Sequence, residues 1–167
     1  PLFGEDPEQL IFCLDEPEQA DDLAEGRHVI RKRYWQFAMS AIREATGTFT
    51  YSGDTTGNTV SGITTVPGVH PVCVANFNSA LVKIYIDVGN YQKNKAIFDR
   101  LLAHKAEIEA AYGGALTWNR SDETRASQIS DELTEVGIGA EEDWPRMARF
   151  HSVQMAKLLR AVQGYLE

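Results

Sequence analysis

The spacing of apolar residues changes period along this chain, and those changes constrain its fold more than any other feature. From Gly26 to about Thr46, Ile30, Tyr34, Phe37, Ala38, Ala41 and Ala45 recur every three or four residues. That is the period of a helix with one apolar face, and Gly47 marks its end. From Thr48 to Asp87 the apolar residues are mostly β-branched or aromatic. They come in short runs between Gly and polar clusters: Phe49 and Tyr51, Val60 and Ile63, Val72 and Val74, then Leu81 to Ile86. Such runs predict strands of an antiparallel meander. Its clearest hairpin joins residues 71–77 to residues 80–88 through an Asn78-Ser79 turn.

The helical period returns at Asn90, with Ile97, Leu101, Leu102, Ile108 and Tyr112 on the apolar face and Gly113-Gly114 as the stop. Residues 116–119 and about 126–133 read as two short strands, although the second pattern also suits a helix. Asp143 is placed to cap a final helix that carries Pro145 in its first turn. Trp144, Ala148, His151, Met155, Leu158, Leu159, Val162 and Leu166 form its buried face. The predicted order is α-β-β-β-β-α-β-β-α. It describes an α+β domain with an antiparallel sheet of about five to six strands and three main helices on one face.

Composition supports a folded chain: 167 residues suffice for one core, and 43% hydrophobic with 24% charged residues is ordinary for a globular domain. The net charge of −8 is unevenly placed. Residues 1–25 contain nine acids and no Lys or Arg, whereas residues 26–167 hold 15 acids against all 16 basic side chains. The chain therefore divides into an acidic leader, 1–25, and a nearly neutral α+β body, 26–167. The leader reads as a linker with one anchoring turn at residues 10–14, or as a shield over a basic surface. No apolar run reaches the roughly 18–20 residues of a membrane span, and there is no secretory signal pattern. Cys13 and Cys73 read as free thiols in a reducing, cytoplasmic setting. Pro1 in place of an initiator Met points to a segment of a longer protein.

Familiar catalytic patterns are missing. A PD-(D/E)XK nuclease needs an acid two positions before a strand lysine so that both share one strand face around a metal. The residues two before Lys32, Lys83, Lys93, Lys95, Lys105 and Lys157 are Ile30, Leu81, Tyr91, Lys93, Ala103 and Met155. His28, His70, His104 and His151 have no metal-ligand spacing. The Gly-rich stretch from Ser52 to Thr59 matches neither a Walker loop nor a dinucleotide fingerprint and reads as a hairpin loop. No catalytic residue, metal or cofactor is assigned.

Basic side chains are the stronger lead. Arg146, Arg149, Lys157 and Arg160 fall on one face of the last predicted helix, away from its apolar stripe. Such a stripe can follow a phosphate backbone, or simply keep the helix solvated. Arg125 and Lys83 are further candidate nucleic-acid contacts, and Arg27, Arg31 and Lys32 form another cluster. Trp118 and Trp144 read as core or rim anchors rather than stacking platforms.

Five short motifs, in order, carry a family resemblance. They are Val82-Lys83-Ile84-Tyr85-Ile86-Asp87; Asn94-Lys95-Ala96-Ile97-Phe98-Asp99 with Glu107-Ile108-Glu109; Leu116-Thr117-Trp118; Arg125-Ala126-Ser127-Gln128-Ile129; and Glu142-Asp143-Trp144-Pro145. The chain resembles an uncharacterised bacterial domain of unknown function, usually found C-terminal to PD-(D/E)XK nuclease domains of the RecB-like or NucS-like kind. The resemblance implies a non-catalytic accessory module beside a nuclease, in DNA repair, restriction or defence, with DNA and the absent N-terminal nuclease domain as partners. The long loop between Ser52 and His70 departs from the family pattern. Two other readings stay open. One is a protein-interaction or homodimerisation module. The other is an enzyme with an unrecognised site beside the 52–70 loop.

Overall fold

The computed structural model describes residues 17–50 and 55–167, with side chains from Glu25 onward. Helix α1 spans Pro17–Thr46, nine residues longer than its apolar period predicts. Glu, Gln, Ala and Leu in that extension favour helix, acids suit a helix N-terminus, and Pro is tolerated in the first turn. The acidic segment is therefore partly helical. Residues 1–16, with the anchoring turn and Cys13, lie outside the described residues. The buried face of α1 consists of Tyr34, Trp35, Ala38, Met39 and Ile42. This face is rotated from the predicted one: Ala41 and Ala45 point outward, and Phe37 is 50% exposed. Trp35, Met39 and Ile42 bury more apolar area than the alanines they displace, which decides the rotation.

Gly47 ends α1 in the left-handed region at φ 70, and its N–H returns to Arg43 O at 2.8 Å. The first predicted strand is reduced to a single bridge between Phe49 and Gly62, and Tyr51 lies outside the described residues. A Cβ on Gly62 would sit 2.6 Å from Thr48 O, so only glycine permits that approach.

The sheet contains β1 (Thr59–Ser61), β2 (Val69–Ala75), β3 (Ser79–Ile86), β4 (Thr117–Asn119) and β5 (Ser127–Thr134). Its order is β1-β2-β3-β5-β4 and every pairing is antiparallel. The meander thus supplies three strands rather than four. Its turn lies one step earlier than predicted: Ala75 pairs with Ala80, and Asn76 N–H bonds Ser79 O, leaving Phe77 and Asn78 as the turn. Gly137 packs against that turn so closely that a Cβ would meet Phe77 O at 1.9 Å.

Alternation gives the sheet two different faces. Val60, Val69, Cys73, Val82, Ile84, Ile86 and Ile129 line the face covered by helices, and all are buried. Cys73 is a free thiol in that core, and burial raises its pKa. The predicted second helix is two: α2 (Tyr91–Leu102) and α3 (Lys105–Tyr112). Asn90 caps α2, accepting from Lys93 N–H, and Gly113 closes α3 at φ 95. Leu102 is exposed, at the break, rather than on the apolar face.

The final helix is also interrupted. A 3-10 turn, Glu141–Asp143, leads into α4 (Trp144–Arg149), a π-helical turn (Phe150–Gln154) and α5 (Met155–Gln163). Pro145 sits in the first turn as predicted, but Asp143 does not cap the helix; its carboxylate accepts from Gly137 N–H at 3.1 Å. The wider π turn allows adjacent His151 and Ser152 both to face inward before Met155, Leu158 and Val162 resume the stripe. His151 is fully buried. Its Nε2 donates to Val74 O at 2.8 Å, so Nδ1 is the acceptor for the Tyr34 hydroxyl at 2.7 Å. Burial holds this imidazole neutral, with its pKa lowered to about 4.

Candidate functional site

The second face of the sheet is built differently. Register places His70, Tyr85, Gln128 and Asn119 in one row across β2, β3, β5 and β4. Ser61, Val72, Lys83, Ser130 and Thr117 form the next row. Tyr85 is 36% exposed at the centre of this surface. Lys83 Nζ reaches Gln128 Oε1 at 3.4 Å, and partial burial lowers the Lys83 pKa. His70 Nδ1 meets Gly62 O at 2.9 Å. The result is a polar platform with one aromatic ring and one lysine.

At the end of β3 the platform opens into a cleft of about 490 Å³, lined by Tyr85, Asp87, Ser121, Thr124, Arg125 and Gln128 among others. Arg125 enters it from the loop joining β4 to β5. Arg125 Nε bonds Asp87 Oδ1 at 2.9 Å and Nη2 bonds Oδ2 at 2.8 Å, which leaves Nη1 outside that pair. The Arg125 hydrogen bonds hold the Asp87 carboxyl down to about 2, helped by Asn94 and Gly89.

Beneath the cleft lies a polar cluster that sequence reasoning did not single out as functional. Lys95 is 3% exposed. Its ammonium donates to Arg120 O (2.6 Å), Ser121 O (2.9 Å), Ala126 O (3.0 Å) and Ser127 Oγ (2.9 Å), and it lies 4.8 Å from the Tyr91 ring centre. Asn94, fully buried beside it, accepts from Val88 N–H at 2.7 Å and donates to Asp87 Oδ1 at 3.1 Å and Arg125 O at 2.9 Å. Burial lowers the Lys95 pKa, while Asp122 and Asp99 oppose that shift. The loop is also tied outside: Tyr91 Oη donates to Asp122 O at 2.7 Å, and Arg120 pairs with both Asp99 and Asp122. A sequence signal for this cluster exists. Asn94 precedes Phe98 and Leu101 by four and seven positions, so a polar residue stands on the buried stripe of α2.

The predicted basic residues are divided by the fold. Arg125 and Gln128 line the cleft, and Lys83 bonds Gln128 from outside that lining. Arg146 and Arg149 are exposed on α4, beyond the π turn from Lys157 and Arg160. The π turn lies between the two pairs. Lys157 is half-buried, and Arg160 lines a second groove of about 380 Å³ with Thr46, Ile63, Leu159 and Leu166. That groove borders the 52–70 loop, and Arg160 is the one charged side chain lining it. Trp118 and Trp144 are anchors: Trp118 donates to Glu109 and stands edge-on to Phe98, and Trp144 donates to Ile138 O at 2.9 Å. Among the described residues no group of three His, Cys, Asp or Glu side chains could hold a metal ion, and no helix is long and apolar enough to cross a membrane.

A model of a domain of unknown function, DUF4268, matches residues 30–166. The chain belongs to that family. No curated protein and no solved structure matches it. The DUF4268 span contains all five motifs on which the resemblance rests; three of them meet in the cluster beside the cleft, and a fourth is tied to the second through Glu109. Asp87 bonds Arg125, Asn94 bonds both residues, Lys95 bonds Ser127, and Glu109 accepts from Leu116 N–H and Trp118 Nε1.

Proposed function

We propose that this DUF4268 domain is a non-catalytic accessory module that contributes nucleic-acid contacts to a bacterial, cytoplasmic nuclease-like protein. The nuclease context comes from the family resemblance. The observation that carries the binding reading is the second sheet face, where Tyr85, Gln128 and Arg125 line one cleft and Lys83 stands behind Gln128. An aromatic ring on a sheet offers a base a stacking surface worth about 1–3 kcal/mol, and flanking cations take the phosphates. A single strand, whose bases are free to turn toward Tyr85, fits this surface better than a closed duplex. The near-neutral body keeps the intrinsic affinity modest, because phosphate neutralisation supplies most non-specific binding.

Fluorescence anisotropy of labelled single- and double-stranded DNA over a salt series tests this reading. Preference for the single strand, weakened by salt and by Tyr85→Ala, supports it. No binding at low salt, or equal binding by Tyr85→Ala, rejects it. A homodimerisation module is the second reading, favoured by the apolar groove where Ile63 is 63% exposed. Concentration-dependent mass that is insensitive to salt would move the function there.

A further inference from the structure

One wall of the cleft, the loop from Arg120 to Ala126, is secured from inside the protein. Lys95 gathers three of its carbonyl oxygens, Asn94 takes a fourth, and Tyr91 takes a fifth from the rim. These three residues are consecutive or one turn apart on α2, so one helix face grips the loop. Within the loop Ser121 is held at φ 55, a left-handed conformation a serine rarely adopts without outside support. An ammonium buried among carbonyls is costly unless its donors are satisfied, and here three carbonyls and a hydroxyl satisfy it. The cage does more than neutralise a stray charge. It fixes the backbone on both sides of Arg125, whose guanidinium faces the cleft.

We propose that Lys95 is a positioning residue that presets the 120–126 loop as a rigid wall, delivering Arg125 to a phosphate-bearing ligand in the cleft. This rests on the nucleic-acid reading for the identity of the ligand, but not for the behaviour of the loop. Preset loops bind more tightly because less ordering accompanies association. Lys95 itself is sealed from the ligand, so it acts only through the loop.

Limited trypsin digestion of the full chain tests the loop directly, since Arg120 and Arg125 are themselves cleavage sites. With Lys95→Met, cutting after these two residues is expected to rise at least tenfold more than cutting elsewhere, which follows the loss of global stability. Tyr91→Phe, which removes one rim bond without disturbing the core, should move the same cuts in the same direction by a smaller factor. If Lys95→Met does not fold, Tyr91→Phe alone decides. Unchanged loop cutting, or cutting spread evenly along the chain, overturns the proposal. On a labelled single strand, Lys95→Met should weaken binding several-fold with the salt slope unchanged. Binding equal to wild type overturns the positioning role. If the wild-type chain binds no oligonucleotide, the nucleic-acid reading falls, and the digestion still decides whether Lys95 presets the loop.

Discussion

Two polar clusters lie beneath the same sheet, and they do different work. Under β2, His151 and Tyr34 form a neutral, closed pair among Trp35 and Trp144, with the imidazole's two ring nitrogens both satisfied. Under β5, Lys95 and Asn94 form a charged cluster whose partners are mostly the backbone of a surface loop. The first joins α1 to the π turn and the sheet, and so fixes the core. The second transmits order outward to Arg125 and the cleft. Burial alone does not distinguish a structural polar group from one that builds a site; the destination of its hydrogen bonds does.

The largest effect that would sharpen this contrast is expected at Lys95. Lys95→Met removes the charged donor from three carbonyls, which keep only Ser127 Oγ and Thr124 as partners, and should lower unfolding free energy by roughly 3 kcal/mol, measured by urea denaturation. A loss under 1 kcal/mol would mean the cage relaxes onto water.

Acid separates the clusters. His151 has a folded pKa of about 4 against 6.5 in the unfolded chain, so unfolding takes up a proton as pH falls below 6.5. Its contribution should therefore lower stability between pH 6.5 and 4, by about 3 kcal/mol in all. Asp87 is also shifted downward, from 3.8 to about 2, so its contribution is present above pH 3.8 and lost between there and pH 2. Urea midpoints over that range should show two separate losses, the first absent in His151→Gln. A single loss below pH 4 would show that His151 is not held neutral. Tyr34→Phe, which removes only the donor to Nδ1, should cost roughly 1–2 kcal/mol at pH 7.

Much of the architecture was legible because it depends on local period. The β-branched runs, Asn90 and the paired glycines at 113–114 placed most strands, the start of α2 and the end of α3 correctly. The rotation of α1 was not legible, since Phe37, Ala41 and Ala45 fit a helical stripe as well as Trp35 and Met39 do. Only tertiary packing separates them: Trp35 lies against the buried His151, whereas the half-exposed Phe37 reaches only Trp144. The π turn, which lies between the α4 arginines and Arg160, was equally hidden. At the candidate site, Lys83 and Arg125 were visible as cations. That Lys83 reaches Gln128, a neighbour of Arg125 along the chain, depends on β3 pairing with β5 across more than forty residues, which no local spacing encodes.

Smaller effects are expected on ligand binding. Lys83→Ala and Arg125→Gln should each reduce the dependence of log affinity on log salt by about one phosphate contact. Arg146→Ala with Arg149→Ala should leave both that slope and stability nearly unchanged, with a stability change within about 0.5 kcal/mol. A larger loss from the α4 pair than from the cleft pair would move the contact surface to the last helix.

The most direct test is a hydrogen-exchange footprint of the full chain with and without a saturating single-stranded oligonucleotide. Protection confined to β3 near Lys83 and Tyr85 and to residues 121–128 is the predicted result. Protection centred on residues 144–160, or none at saturation, would contradict a binding cleft on the open sheet face.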